Sequence, residues 1–254
     1  MESLYFVYIT IFVSSIILLC IILNTSGYVL LECINMIYRI CAERNVEYYP
    51  TFKLNWCKEL RDNYLDIKQE YINYMHEHTL KRFKEIDKVQ TNYDISDIPW
   101  EVLFLRVYNK DTFKIKYFPK TYSLISKIPG CTLAMFSVLH PGKIIPPHVG
   151  PYKGVLRYHL AIITPKDYHK CKIVVNKIPY HWREGKDVLF DDTFLHSVKN
   201  ESNETRVVLF LDIKKEFNNI FLDGLNSVVL YFSQFHETVN NIIINTDKDE
   251  DLHV

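Results

Sequence analysis

The sequence predicts a mainly β protein with flanking helices, an antiparallel sandwich or jelly roll preceded by one transmembrane helix. Three observations carry this: an uncharged apolar run near the amino terminus, a following stretch with helical periodicity, and, from Trp100 onward, short apolar runs separated by turn residues. A length of 254 residues suits one domain with a short appendage, since single cores stop growing at about 250 residues. With 48% hydrophobic and 24% charged residues, wholesale disorder is excluded. Lys+Arg 30 against Asp+Glu 30 leaves no basic excess to release counterions from phosphates, so no nucleic-acid partner is expected.

Residues 1–24 are expected to form a membrane anchor. From Leu4 to Leu23 there is no charge, and a helix of that length rises about 30 Å, the thickness of a hydrocarbon core. Glu2 and the length of the run argue against a cleaved signal peptide. Residues 25–99 are read as a linker and a helical region packed on a barrel, because Leu54, Leu60, Tyr64, Ile67, Tyr71 and Met75 recur at threes, fours and sixes among charged residues. Residues 100–216 are read as the β core, from the runs VLFLRVY, CTLAMFSVL, VLRYHLAII, KIVV, DVLF and RVVLFLDI. Residues 217–254 are read as a helix over the apolar stretch from Leu225 to Ile244, then an acidic tail.

Cys20, Cys33, Cys41, Cys57, Cys131 and Cys171 form no CxxC pair and are expected to be free thiols. Any metal site must then come from His and carboxylates. In the strand from Leu156 to Ile163, residues two apart share a face, so Arg157 and His159 point one way while Leu156, Tyr158, Leu160 and Ile162 form the core side. The polar face is either solvent or the wall of a polar cavity. The Pro- and Gly-rich loop before this strand presents His148, His196 follows VLFDDTFLH, and Arg206 opens the next strand. In a jelly roll the two imidazoles can converge at one mouth, with Arg206 within reach of a dicarboxylate bound at a metal.

The strings HVGPYKGVLRYHLAI, WREG and FDDTFLHSV, with the Arg that opens RVVLFLD, resemble the aspartyl/asparaginyl β-hydroxylase family of iron(II)- and 2-oxoglutarate-dependent oxygenases, which also includes bacterial lipid A hydroxylases. The resemblance covers roughly Trp100 to Ile213 and implies a double-stranded β-helix. It implies Fe(2+) held by His148 and His196, with 2-oxoglutarate and O2 as cosubstrates. Arg206, helped by Ser137, would take the distal carboxylate of 2-oxoglutarate and His159 the metal-proximal one, with Arg157 on the substrate side as a catalytic residue. Gly150 stands where most enzymes of the wider class carry an acidic ligand, and the animal hydroxylases show the same glycine. Asp191 and Asp192 are read as capping a turn or orienting His196. His140 is read as structural, Trp182 as core, and His169 and His181 as surface.

The resulting expectation is a 2-oxoglutarate-dependent dioxygenase that hydroxylates an Asp or Asn side chain of a protein or peptide. The alternatives are hydroxylation of a lipid acyl chain and, in another class, a non-catalytic jelly roll that binds a metal or partner. Val155 stands where the animal enzymes have a second Arg, which suits Asn or a neutral group better than Asp. Localisation is expected to be single-pass membrane with a lumenal, endoplasmic-reticulum-like catalytic domain. Sequons at Asn200 and Asn203 are glycosylated only if lumenal and accessible.

Overall fold

The structure is a computed structural model that describes residues 27–41, 45–87 and 96–248. Among them, twelve strands form two sheets: β1 (Tyr48–Tyr49), β2 (Lys81–Arg82), β3 (Trp100–Val107), β4 (Lys110–Asp111), β5 (Cys131–Leu139), β6 (Ile144–His148), β7 (Val155–Ile163), β8 (Cys171–Val175), β9 (Ile178–His181), β10 (Asp187–Phe190), β11 (His196–Asn200) and β12 (Arg206–Lys214). The larger sheet runs β1-β10-β7-β12-β5-β3-β2 with β4 on β3, and the smaller runs β6-β11-β8-β9. Every expected apolar run is a strand. Met135, Ala161, Val208 and Phe210 of the larger sheet pack on Cys171, Ile173, Val175 and Val198 of the smaller, so the two sheets enclose one core. This is the mainly antiparallel jelly-roll arrangement that the turn-punctuated pattern predicts.

Tight hairpins join β3 to β4 and β8 to β9. Their turn pairs Tyr108–Asn109 and Asn176–Lys177 all have positive φ, the backbone of a type I′ turn whose twist matches the flanking strands. Pro146 and Pro147 in β6 give the ladder no N–H, and β6 lies at the end of its sheet, where that loss is tolerated.

Among the described residues, seven helices flank the sheets: α1 (Gly27–Cys41), α2 (Asn55–Asp62), α3 (Tyr64–Glu77), α4 (Phe83–Ile86), α5 (Pro119–Ile125), α6 (Ile220–Ser233) and α7 (Glu237–Asp247). Leu60, Ile67, Tyr71, Tyr74, Leu124 and Ile125 seat α2, α3 and α5 on the outer face of the larger sheet, against Leu156, Tyr158, Leu160 and Ile162. Met75, expected on that face, is 36% exposed, and Tyr74 takes its place at 4%. The step from Tyr71 to Tyr74 keeps the side chain on the inward stripe, and one more residue rotates it out. The stretch expected as one helix from Leu225 to Ile244 is two, because His236 starts a new helix by accepting from the Thr238 N–H.

The expected single-pass membrane placement is corrected. No helix of the described residues is long and apolar enough to cross a membrane. Even α1, with 15 residues, rises only about 22 Å, short of the roughly 30 Å of a hydrocarbon core. The run from Leu4 to Leu23 lies outside the described residues. The sequon at Asn200 is also unusable in the folded state. Its amide is fully buried and donates to Leu139 O, His140 O and Glu204 O.

Candidate active site

β6 ends at His148 and β11 begins at His196, and the antiparallel ladder pairs these two residues directly. Their ring centroids are 4.1 Å apart. Each Nδ1 faces a carbonyl two residues back in the chain, Pro146 O at 2.8 Å and Phe194 O at 2.9 Å. A carbonyl only accepts, so each Nδ1 carries the proton and each Nε2 keeps its lone pair. Burial lowers the pKa of both rings. At His196 the neighbouring His148 adds to it and brings the value down to about 3. Two neutral imidazoles with Nε2 unprotonated are of the kind that donates to a metal. Among the described residues no group of three or more His, Cys, Asp and Glu converges as a metal cage, so the pair stands as two donors.

Gly150 has a packing reason. A Cβ there would collide with the Asp192 carboxylate, and the Gly150 N–H donates to Asp192 O at 2.7 Å. The glycine thus lets a carboxylate from the β10–β11 loop occupy the space of a residue-150 side chain. Asp192 is buried and pairs with Arg157 Nη1 at 2.8 Å, although neither of its oxygens has hydrogen-bonding geometry. Burial pushes its pKa up to about 6 against the pull of Arg157. Gly150→Ala is therefore expected to displace this carboxylate and to cost about 1–3 kcal/mol of stability, measurable by urea unfolding. An unchanged midpoint would mean that the loop yields freely.

Asp191 does cap the turn, accepting from Thr193 N and Oγ1. It also takes the ammonium groups of Lys153 at 3.1 Å and Lys215 at 3.0 Å, all three side chains being buried. Burial alone would raise its pKa, but Lys215, Thr193 and Lys153 hold it below the usual carboxylate range. Because the folded pKa is depressed, the carboxylate contributes stability above the unfolded value of about 4, and that stability is lost as pH falls through the folded value. Asp191→Ala leaves two buried lysines without their acid and is expected to cost about 3–5 kcal/mol in denaturant titrations at neutral pH, with the loss narrowing in acid.

Arg157 and His159 lie on the inward face of β7, where Arg157 lines a cavity and His159 is packed among aromatic side chains. Arg157 forks onto Asp212, from Nε at 3.0 Å and Nη2 at 3.2 Å, and its guanidinium lies 4.5 Å from the Phe210 ring centroid. Burial works against its charge, but Asp192 and Asp212 outweigh it and hold the guanidinium above its usual pKa. Asp212 was not singled out from the sequence. Its signal was its even spacing from Arg206 along β12, which places both on the inward face. In the sheet it pairs in register with Arg157.

His159 is buried among Trp182, Phe190 and Phe210, and neither ring nitrogen has a hydrogen-bond partner. Burial first, then Arg206, Arg157 and His196, push its pKa far below the usual range. Arg206 is 2% exposed and has no acidic partner among the described residues. Its Nη1 donates to Ser137 O at 3.1 Å, its guanidinium sits 4.6 Å from the Trp182 ring centroid, and its Nε has no partner. Burial lowers its pKa to about 10. The Ser137 hydroxyl accepts from the Trp100 indole at 3.0 Å, so Ser137 meets Arg206 through its carbonyl. A buried cation beside an imidazole with two unpartnered nitrogens is an arrangement suited to a carboxylate ligand.

A cavity of about 110 Å³ adjoins His148, Gly150, Arg157 and Asp192. Beyond that end its walls are mainly apolar, among them Phe83, Trp100, Phe104, Val107, Met135 and Ile242, with Asp87 and Thr132 also on the lining.

The sequence model described as aspartyl/asparaginyl beta-hydroxylase matches residues 61–216, more than half of the chain. The chain belongs to this hydroxylase family. Among curated relatives, an ornithine lipid ester-linked acyl 2-hydroxylase from Rhizobium tropici is 39% identical over 67% of this chain and 61% of that protein. The human aspartyl/asparaginyl beta-hydroxylase is 37% identical over 37% of this chain and 13% of its own length. The chain thus spans less than two thirds of these relatives. Among solved structures, a Pseudomonas putida prolyl-4-hydroxylase aligns over 61% of this chain and 87% of its own, with 11% identity and a TM-score of 0.45.

Proposed function

We propose that the protein is an iron(II)- and 2-oxoglutarate-dependent oxygenase that hydroxylates an aliphatic carbon of a lipid acyl chain. The observation that carries the choice of substrate is the cavity beside His148, where apolar residues such as Phe83, Phe104, Met135 and Ile242 outnumber the polar Asp87 and Thr132, and where Arg157 is already held by two carboxylates. An acyl chain gains by leaving water there, at about 0.8 kcal/mol per buried CH₂. A substrate carboxylate would compete with Asp192 and Asp212 for Arg157. The relative from Rhizobium tropici supports the same reading.

His148 and His196 are the residues that would hold the iron through Nε2, and the carbonyls of Pro146 and Phe194 hold the rings in the tautomer this needs. When bound, iron(II) with 2-oxoglutarate and O2 supplies the oxidising power to insert oxygen into an unactivated C–H bond. Arg206 binds the distal carboxylate of the cosubstrate, and His159 offers a ring nitrogen to the proximal one. Ser137 and Trp182 position Arg206. Arg157 anchors Asp192 beside the histidine pair, and the apolar walls exclude water and orient the chain.

Hydroxylation of an Asp or Asn side chain is the second reading, supported by the match to the human enzyme. Mass spectrometry with iron, 2-oxoglutarate and air decides between them. A gain of one oxygen on an acyl lipid and none on an Asp or Asn peptide is expected. The reverse pattern replaces the acyl reading with the peptide one.

A further inference from the structure

The turn between β3 and β4 carries an unusual residue. Tyr108 stands at its first position with φ at 44°, ahead of Asn109 at 66°. Such a turn ordinarily takes Asn, Asp or Gly there, because a bulky side chain on left-handed backbone is strained. Strain of this kind persists where the surroundings hold the residue in place. Here the Tyr108 ring packs on the core shared by the two sheets and forms part of the wall of the cavity beside His148. Other side-chain donors of that wall are turned to protein acceptors. The Trp100 indole donates to Ser137 Oγ at 3.0 Å, the Thr132 hydroxyl to Asp212 O at 3.1 Å and the Tyr152 hydroxyl to Asn226 Oδ1 at 2.7 Å, while Arg157 is held by Asp192 and Asp212. Tyr108 differs: among the described residues its hydroxyl has no hydrogen-bond partner. Burial first, then Asp212, raises its pKa to about 12 against the pull of Arg157, with Asp87 and Asp192 adding to the rise. The phenol therefore keeps its proton at neutral pH and has an O–H to give.

We propose that Tyr108 is a substrate-binding residue that donates its hydroxyl to the acyl carbonyl of a lipid and so sets the register in which the chain enters the cavity. Every acyl group carries a carbonyl oxygen, and moving that oxygen from water to mainly apolar walls is costly unless a donor meets it. The Tyr108 hydroxyl supplies the donor, and the apolar residues beyond it take the methylenes. A tyrosine suits both tasks, since its ring belongs to the wall and its tip is polar. The inference rests on the acyl reading of the site and deepens it.

The test is calorimetric titration of the 254-residue chain and of Tyr108→Phe with two soluble probes, the hexanoyl monoester of glycerol and the matching hexyl ether, which lacks the carbonyl. Oxygen is excluded so that no turnover intervenes. The wild type is expected to bind the ester about three- to tenfold more tightly than the ether, the range of one net hydrogen bond. In Tyr108→Phe that preference should vanish while the ether binds as it does to the wild type. Unchanged ether binding also shows that the variant is folded and its cavity intact. A preference for the ester that survives in Tyr108→Phe overturns the assignment and leaves the acyl reading standing, as does a wild type that binds both probes equally. A variant that loses the ether as well also overturns it, because the hydroxyl then supports the wall and not the carbonyl. A wild type that binds neither probe ends the acyl reading, and this inference with it.

Discussion

His148→Ala and His196→Ala are each expected to abolish iron retention and hydroxylation together. Among the described residues the site offers two imidazole donors and no cage of three, so losing one leaves a single one of these ligands. Losing even an outer partner of a metal ligand typically costs about 10–100-fold in metal affinity or activity, and losing a ligand should exceed that. The fold should survive, because both residues end strands and neither supports a buried charge. Metal analysis after desalting, paired with thermal unfolding, checks this: iron lost and unfolding midpoint retained. Full iron content in either variant would show that the metal is held elsewhere.

Arg206→Met is expected to move two measurements in opposite directions. Without ligand, the variant replaces a buried guanidinium that has no acidic partner among the described residues, and substitutions of that kind are neutral or stabilising by about 1–4 kcal/mol. With 2-oxoglutarate, the wild type should gain thermal stability by mass action while the variant gains none. Truncating one partner of a buried charged pair costs about 2–5 kcal/mol, roughly 30-fold to several thousand-fold in affinity. The comparison is therefore two melting curves per protein, with and without the dicarboxylate. A variant that is less stable than wild type without ligand, yet stabilised by 2-oxoglutarate to the same extent, would remove Arg206 from cosubstrate binding.

Much of this architecture can be read from alternation. Six apolar runs predict β3, β5, β7, β8, β10 and β12, because a strand buried on both faces needs near-continuous apolar residues. β6, β9 and β11 escape that criterion, since IIPPH, IPYH and HSVKN are short, polar or proline-bearing. The facing of Arg157 and His159 follows from the period of two, and the meeting of His148 with His196 follows once β6 and β11 pair. The Asp192 contact at Gly150 does not follow, because it depends on how the loop after β10 lies against the end of β6. The same holds for Lys153 and Lys215 on Asp191, which join three segments distant in sequence. Composition gave no hint of that buried cluster, because lysines are usually solvated and two of them on one acid is a tertiary arrangement.

The two histidines have unequal backbone support. His196 lies on β11, which is laddered on both sides by β6 and β8, whereas His148 lies on β6, which among the described residues is an edge strand held by β11 alone. Pro146 and Pro147 remove two amide donors from that edge. Opening free energies fall from inner strands to frayed edges, so hydrogen exchange should run faster along Ile144–His148 than along His196–Asn200. The pair is thus a fixed jaw and a hinged one: a local excursion of β6 swings one imidazole away while the other stays in the sheet, giving an ion a stepwise exit without global unfolding.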